Sequence, residues 1–395
     1  MLNKLRLLTP GPTPMPENVR LAMAQDMIHH RKGQFTALMQ KTQGMLRKLF
    51  GTAEPVLPLA SSGSGAMTAA VGNLFKPGEK VVVARCGTFG DRWKEIAEAR
   101  GLTVRDLAYA PGHAVDPAQV EAILNAEDDI AGLLVQVSET STGVLNPLKE
   151  LGALCRQRQC LLVADGISAV GISPCPMDEW GVDCLLTGSQ KGLMLPPGLA
   201  LLAMSPRAWQ KASGVEPACY YFDLKRERER LEQGQTRFTT PVSLIYGLEA
   251  SMAGLLADGL DAIYRKQWAL TMLARCGVQA MGLEPLAREN FTWGLTSIRL
   301  PAGIDGVALL KLAEQRWGVC MAGGQGELKG HIVRLGHMGH VDWGDVLAGL
   351  YALEGTLQEM GSPIQGKDWT AAAMQAYSRA LALLSPGISV AQGSY

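Results

Sequence analysis

The stretch LLTGSQKGLMLPPGLALLAM, residues 185–204, places one lysine, Lys191, in a polar turn between two apolar runs. The runs VDCLLTG before it and GLALLAM after it are short, continuous and bounded by Gly, Pro or polar residues, as expected of buried strands. Strands that are buried on both faces are typical of a mostly parallel sheet covered by helices. The stretch therefore predicts an α/β fold, with an amine at the end of a buried strand.

Helix-like and strand-like segments alternate from residue 64 onward. The predicted helices are GAMTAAVGNLF, RWKEIAEAR, DPAQVEAILNA and PLKELGALCRQR, and the predicted strands between them are KVVVA, LTVRDL, IAGLLVQV and CLLVAD. Asp116 followed by Pro117 is a strong helix start. Later segments such as FTWGLTSIRLP and HIVRLGHMG predict a small α+β domain. We expect an N-terminal arm (1–20), a large domain (21–257), a connecting helix (258–277), a small domain (278–362) and a C-terminal helical extension (363–395).

The balance of acidic and basic residues disfavours nucleic acids and membranes as binding partners. The 395 residues contain 37 Lys and Arg against 37 Asp and Glu, and 47% of the residues are apolar. No basic block predicts nucleic-acid or membrane binding, and no segment has the length of a membrane span. We therefore expect a soluble cytoplasmic protein. The eight scattered cysteines predict reduced, buried thiols, and His337 with His340 lacks a third ligand nearby in sequence, so we expect no metal site.

Polar segments lie where open α/β sheets bind their ligands, beyond the carboxyl ends of the strands. In LASSGSGAM (59–67), Ser64 and Gly65 precede a helix and suit either a phosphate or an ordinary helix start. In RCGTFGDRW (85–93), two glycines flank Phe89, which suits either a flat ligand ring or the core. The hydroxyl-rich QVSETSTGVLNP (136–147) suits either a ligand or a helix cap.

Asp165 ends the apolar strand CLLVAD, where a carboxylate is costly without a cationic partner. Lys191 is one candidate cation. The other is the protonated pyridine nitrogen of pyridoxal phosphate, with Lys191 bonded to the aldehyde of that cofactor. The second alternative also gives a use to the phosphate-suited helix start, the aromatic ring and the hydroxyl loop.

Seven motifs together resemble a known family. TPGPTP, SSGSGAM, GTFGDRW, ETSTGVLNPL, VADGISAVG, TGSQKGLMLPPG and VRLGHMG occur in the order found in class V aminotransferases of the fold type I pyridoxal-phosphate enzymes, over residues 7 to about 340. The similarity is greatest to the alanine–glyoxylate and serine–pyruvate aminotransferase branch. It implies a mostly parallel sheet of the seven-stranded type in a large cofactor-binding domain, a small C-terminal domain, and a homodimer with shared active sites.

The resemblance also implies roles for matching residues. Lys191 matches the lysine that forms the Schiff base, and Asp165 matches the partner of the pyridine nitrogen. Arg334 matches the arginine that binds the substrate α-carboxylate, and Gly11 lies in the arm that crosses near the substrate. The other implied cofactor contacts are Ser64, Gly65, Ala66, Phe89, Thr140, Ile167, Gln190 and Thr239, with Thr239, and also Thr236, on a loop that completes the site of the partner subunit.

The implied reaction is transamination from a small L-amino acid, alanine or serine, to glyoxylate or pyruvate. One carboxylate-binding arginine favours small donors, although Arg31 or Arg237 could meet a distal acid. A cysteine desulfurase or lyase, with Cys320 as the candidate thiol, is one alternative. A non-catalytic subunit of a larger complex is the other.

Overall fold

The computed structural model describes residues 4–362, 364 and 368–383. The helices are α1 (Glu17–Met23), α2 (Gly33–Phe50), α3 (Gly63–Leu74), α4 (Thr88–Ala99), α5 (Pro117–Ala126), α6 (Leu148–Gln157), α7 (Met177–Trp180), α8 (Pro206–Ser213), α9 (Leu224–Glu232), α10 (Val242–Leu255), α11 (Leu260–Ala280), α12 (Gly306–Trp317), α13 (Trp343–Glu359) and α14 (Trp369–Leu383). The strands are β1 (Arg6–Leu7), β2 (Val56–Leu59), β3 (Lys80–Arg85), β4 (Thr103–Ala108), β5 (Ile130–Gln136), β6 (Ser138–Glu139), β7 (Val144–Leu145), β8 (Leu161–Asp165), β9 (Cys184–Gly188), β10 (Ala200–Met204), β11 (Glu284–Pro285), β12 (Leu295–Arg299), β13 (Val319–Cys320), β14 (Ala322–Gly323) and β15 (Ile332–Gly336). None of the helices in these residues is long and apolar enough to cross a bilayer.

A seven-stranded sheet forms the centre of the large domain, in the order β2-β10-β9-β8-β5-β3-β4. Strands β9, β8, β5, β3 and β4 pair in parallel, whereas β10 is antiparallel to both β9 and β2. The prediction of a mostly parallel α/β sheet is confirmed. The apolar run of β10 identified a strand but not its direction, because a strand buried on both faces has the same pattern whichever way it runs.

The parallel strands bring distant polar segments to one edge of the sheet. Their central residues, such as Val82, Leu133 and Val163, are fully buried under helices on both faces. The helix start predicted at Asp116 is present, since its side chain accepts a hydrogen bond of 2.9 Å from the N–H of Ala118. Because β5, β8 and β9 all end at the same edge, the residues that follow them meet there.

A four-stranded antiparallel sheet, in the order β11-β12-β15-β14, lies at the centre of the small domain. The connecting helix predicted over 258–277 is α11, and α14 packs along it. Trp369 and Ala373 of α14 are buried in the same apolar core as Leu270 and Leu273 of α11. Residues 363, 365–367 and 384–395 of the predicted extension lie outside the described residues.

The predicted N-terminal arm is joined to the small domain. Strand β1 pairs in parallel with β13, and residues 1–3 lie outside the described residues. The N–H of Leu8 donates to the carbonyl of Cys320 at 2.8 Å, and the N–H of Gly336 donates to the carbonyl of Leu8 at 2.7 Å. Leu8 is 1% exposed within the small-domain core. The arm therefore starts as a strand of the small domain and continues toward the large one.

The hairpin of β6 and β7, residues 138–145, is a second connection between the two domains, besides the N-terminal arm. The Ser138 and Thr292 hydroxyls are 2.6 Å apart. The N–H of Leu145 donates to the carbonyl of Asn290 at 2.6 Å, and the N–H of Thr292 donates to that of Gly143 at 2.9 Å. The hairpin belongs to the large domain in sequence, yet its hydrogen bonds fix it to the small one.

Candidate active site

A cavity of about 120 Å³ lies beyond the carboxyl ends of β5, β8 and β9. The first turns of α3 and α4 close it on the other sides. The cavity brings together seven of the residues predicted from sequence with five others. The full lining is Ser62, Gly63, Ser64, Phe89, Arg92, Ser138, Thr140, Asp165, Ile167, Ser168, Gln190 and Lys191.

Lys191 follows β9 in a turn and is 9% exposed. Burial, and after it the positive charge of Arg334, lowers the pKa of its ammonium to about 8. The Nζ group donates to the carbonyl of Pro10, and no carboxylate among the described residues forms an ion pair with it. A lysine in this state is a neutral nucleophile for a larger fraction of the time than a surface lysine at the same pH.

The N-terminal arm lies against the lysine. A Cβ on Gly11 would stand 2.5 Å from Nζ and 2.6 Å from Cδ and Cε of Lys191, and the φ angle of Gly11 is +125°. Thr13 fixes the arm to the turn, since its hydroxyl donates to the carbonyl of Lys191 at 2.9 Å and its N–H to that of Gln190 at 3.1 Å. Only glycine suits this conformation and spacing.

Asp165 ends β8 and is 4% exposed. Burial, and after it the negative charge of Glu139, raises the pKa of its carboxyl to about 7. It accepts hydrogen bonds from the N–H of Ile167 at 2.7 Å and from Nε2 of Gln136 at 3.1 Å. The described residues offer it no ion pair, so the alternative of a direct pair with Lys191 is not formed.

Phe89 is the second residue of α4 and lines the cavity half-buried. Gln136 donates through Nε2 to its carbonyl at 2.6 Å, and the buried Oε1 of Gln136 has no hydrogen-bond partner in the part of the chain that the structure describes. The buried carboxylate of Glu139 accepts from the N–H groups of Gly90 at 2.9 Å and Phe89 at 3.4 Å. Burial raises the pKa of Glu139. A carboxylate at a helix N-terminus is favoured by the helix dipole and fixes the start of α4.

The first turn of α3 contains three of the predicted cofactor contacts, and one of the three lines the cavity. Ser64 lines the cavity, together with Gly63. Gly65 and Ala66 do not line it, since their N–H groups donate to the carbonyl of Ser62 at 2.9 and 3.3 Å and Ala66 lies in the large-domain core. The resemblance aligned these residues by sequence, but a helix turns about 100° per residue, so Ala66 faces the sheet.

Thr140 and Arg334 meet at the domain boundary. The Thr140 hydroxyl lies 2.6 Å from that of Ser168. Arg334 on β15 donates through Nη1 to the carbonyl of Thr140 at 3.0 Å and through Nε to that of Gly323 at 2.8 Å. Burial lowers the pKa of this guanidinium. Neutral carbonyls hold its orientation without neutralising its charge, which suits a carboxylate ligand.

The loop after α9 lies away from this cavity within the chain. Thr236, which is buried, and the exposed Thr239 line a separate pocket. The guanidinium of Arg31 donates to the backbone carbonyls of Thr236 and Arg237, and that of Arg237 donates to the carbonyl of Tyr220 at 2.7 Å. Both arginines that could meet a distal acid are therefore engaged by their own chain.

Cys320 and His337 lie outside the cavity lining. Cys320 is half-buried in β13, where its carbonyl holds the N-terminal arm, and burial raises the pKa of its thiol. His337 is fully buried between Gln267 and Thr296, and burial lowers its pKa to about 3. Among the described residues, no cluster of three or more His, Cys, Asp or Glu is placed to hold a metal.

The residues in or near the cavity that were not identified from the sequence include Arg92, Ser168, Gln136 and Glu139. Arg92 stands three residues after Phe89 on α4, so helical spacing could have indicated it, whereas Ser168 lies in the turn after β8, where no such spacing applies. Gln136 and Glu139 lie within the hydroxyl-rich segment 136–147, and neither residue type is distinctive there.

Comparisons with known proteins identify the family of this chain. The family model "Aminotransferase class-V" matches residues 9–338. The "Soluble hydrogenase, small subunit" of Synechococcus sp. (strain PCC 6716) is 36% identical, with 91% of this chain and 95% of that protein covered. The serine–glyoxylate aminotransferase of Methylorubrum extorquens is 32% identical, with coverage of 93% and 94%. The crystal structure of a subgroup IV aspartate aminotransferase from Thermus thermophilus is 34% identical and superposes with a TM-score of 0.84, covering 90% of this chain and 99% of that one.

Proposed function

Because the chain belongs to the class-V aminotransferase family and is a pyridoxal-phosphate-dependent transaminase, we propose that it moves an amino group from L-alanine or L-serine to glyoxylate or pyruvate. One observation carries the assignment of its active site. A buried amine and a buried carboxylate line the same cavity without forming an ion pair. Both groups are costly to bury alone, and one ligand with an aldehyde and a ring nitrogen would engage both.

The residues around the cavity fit this cofactor. Pyridoxal phosphate, when bound, supplies an electron sink for the electrons of the substrate Cα–H bond. We assign Asp165 to its ring nitrogen, Phe89 and Ile167 to its ring and Thr140 to the ring hydroxyl. Ser64 and Gln190, which line the same cavity, are assigned to its phosphate.

Lys191 has two tasks in this proposal. When the cofactor is bound, Nζ would hold its aldehyde carbon, and the amino group of the substrate would take the place of Nζ there. As a free amine, Nζ would take a proton from the substrate Cα and would return it to the carbon that carried the aldehyde. The pKa near 8 suits a group that must both accept and donate a proton near neutral pH.

Arg334 is the proposed site for the α-carboxylate of each substrate. Its buried guanidinium keeps a fork geometry that matches a carboxylate bidentately. Arg31 and Arg237 are engaged by backbone carbonyls, which leaves a distal carboxylate without a prepared cation and supports the preference for small side chains.

We further propose a cytoplasmic homodimer in which Thr239, with Thr236, contacts the phosphate of the partner's cofactor. Thr239 is exposed and lies outside the cavity of its own chain, which supports a role across an interface.

The absorbance spectrum of the purified protein tests the reaction. We expect a visible band from bound cofactor that L-alanine or L-serine bleaches and glyoxylate restores, while L-aspartate acts more slowly. Lys191→Ala should fold normally and lose at least about 10³-fold in turnover. Faster bleaching by L-aspartate would contradict the small-donor assignment, and substantial turnover by Lys191→Ala would contradict the role of the lysine.

Two alternatives are decided by further measurements. The relative named as a hydrogenase subunit favours a place in a complex, and cofactor binding without any half-reaction would support that function. A desulfurase would release sulfide from cysteine and lose this activity in Cys320→Ala. The backbone pairing of Cys320 in β13 disfavours a mobile thiol.

A further inference from the structure

Arg92 is a cation in the cavity that the proposed reaction has not used. It lies on α4, one turn after Phe89, and is half-buried. Its Nη1 donates to the hydroxyl of Ser64 at 2.9 Å, and its guanidinium carbon lies 5.1 Å from the centre of the Phe89 ring. Within the described residues it forms no ion pair, although its charge lowers the pKa of Asp165.

At the neighbouring start of α3, backbone N–H groups lack hydrogen-bond acceptors among the described residues. The side chain of Ser62 does not cap the helix. The N–H groups of Gly63 and Ser64 have no hydrogen-bond acceptor in the described part of the chain. A Cβ on Gly63 would stand 2.2 Å from Cδ1 of Ile167, so the backbone there lies directly against the cavity wall. Helix N-terminal N–H groups together with a guanidinium form a strong site for a dianion.

Among the described residues, only two cationic side chains line this cavity, Arg92 and Lys191. Under the proposed function Lys191 is used by the aldehyde. We propose that Arg92 is the charge partner of the cofactor's phosphate, placed by its hydrogen bond to Ser64 and its stacking on Phe89. This assignment rests on the proposed function, and it makes α4 contribute both a ring contact and a phosphate contact.

Paired binding measurements on the apoprotein test the assignment. Pyridoxal phosphate and pyridoxal share the aldehyde and ring but differ in the phosphate, so the ratio of their dissociation constants isolates the phosphate site. Arg92→Gln should weaken binding of pyridoxal phosphate about 10- to 100-fold and change that of pyridoxal less than about 3-fold. Inorganic phosphate should compete with pyridoxal phosphate in the wild type and about 10-fold more weakly in Arg92→Gln.

Lys94→Gln is the matched control. It removes one positive charge from the same helix, at a side chain bonded to Asp106 outside the cavity, and should leave the ratio unchanged. Arg92→Lys keeps the charge and serves if the Gln variant fails to fold; it should retain most of the preference for the phosphorylated form. An unchanged ratio in Arg92→Gln, or a Lys variant as deficient as the Gln variant, would overturn the assignment. Failure of the wild type to bind pyridoxal phosphate would overturn the proposed function instead.

Discussion

The backbone of Gly11 lies directly against the side chain of Lys191, close enough that a Cβ would stand 2.5 Å from Nζ. Gly11→Ala should therefore displace the amine and lower kcat about 100-fold, since misplacement of a reacting group by about 1 Å has effects of that size. Gly282→Ala is the control, because Gly282 also has a positive φ but nothing within 4 Å of its Cβ position. Steady-state kinetics give kcat for both variants. Equal losses of kcat would mean that backbone strain, and not the contact with Lys191, causes the effect.

The rate at which the apoprotein captures pyridoxal phosphate should depend on pH through Lys191. Only the unprotonated amine attacks an aldehyde, so the rate rises as pH approaches the pKa of about 8 and levels off above it. An ordinary lysine would give a rise that continues beyond pH 10. Stopped-flow absorbance from pH 6 to 10 measures the midpoint, and a midpoint near 10 would refute the effect of burial.

Asp165 should make the apoprotein less stable as pH rises. Its pKa is raised in the native state from 3.8 to about 7, so between these values the native state holds a proton that the unfolded state has lost. Stability falls through this window, by at most about 4 kcal/mol, and the full cost is present above pH 7.

Asp165→Asn removes this cost, so the cofactor-free variant should gain stability over the wild type at pH 8 and lose that advantage below pH 4. Urea unfolding of both proteins at the two pH values checks this. An equal difference at both pH values would show that hydrogen bonding to Gln136 and Ile167, and not charge, causes the change.

Helix α14 should contribute to the stability of the small domain through Trp369. This side chain is 5% exposed, lies 4.6 Å from the ring centre of Tyr351, and donates from Nε1 to Glu354 at 3.0 Å. Trp369→Ala should cost about 3 kcal/mol in the free energy of unfolding. Trp343→Ala, at a position 48% exposed, should cost less than about 1 kcal/mol. A loss of stability in Trp369→Ala as small as that in Trp343→Ala would mean that α14 does not unfold together with the rest of the small domain.

The sequence sufficed for six of the seven strands of the sheet, though not for β2 or for the direction of β10. It also sufficed for the two ionisable residues, because Asp165 and Lys191 interrupt apolar runs. Gly11 and Arg334 were identified only by resemblance, since some 320 residues separate them and no local pattern links them. Ala66 was predicted as a cofactor contact by resemblance, and its side chain lies in the large-domain core. The contacts of Arg92 with Ser64 and of Gln136 with Phe89 could not be predicted, because each joins two segments that are distant in the chain.

The hairpin at residues 138–145 has a consequence for recombining this chain with its relatives. A crossover placed in the connecting helix would exchange the small domain but leave behind the hairpin that Asn290 and Thr292 hold. The small domain of one parent would then contact the hairpin of the other parent. That hairpin supplies the carbonyl of Thr140, which orients the guanidinium of Arg334. Chimeric libraries should therefore inherit the hairpin and the small domain from the same parent, although about 130 residues of sequence lie between them.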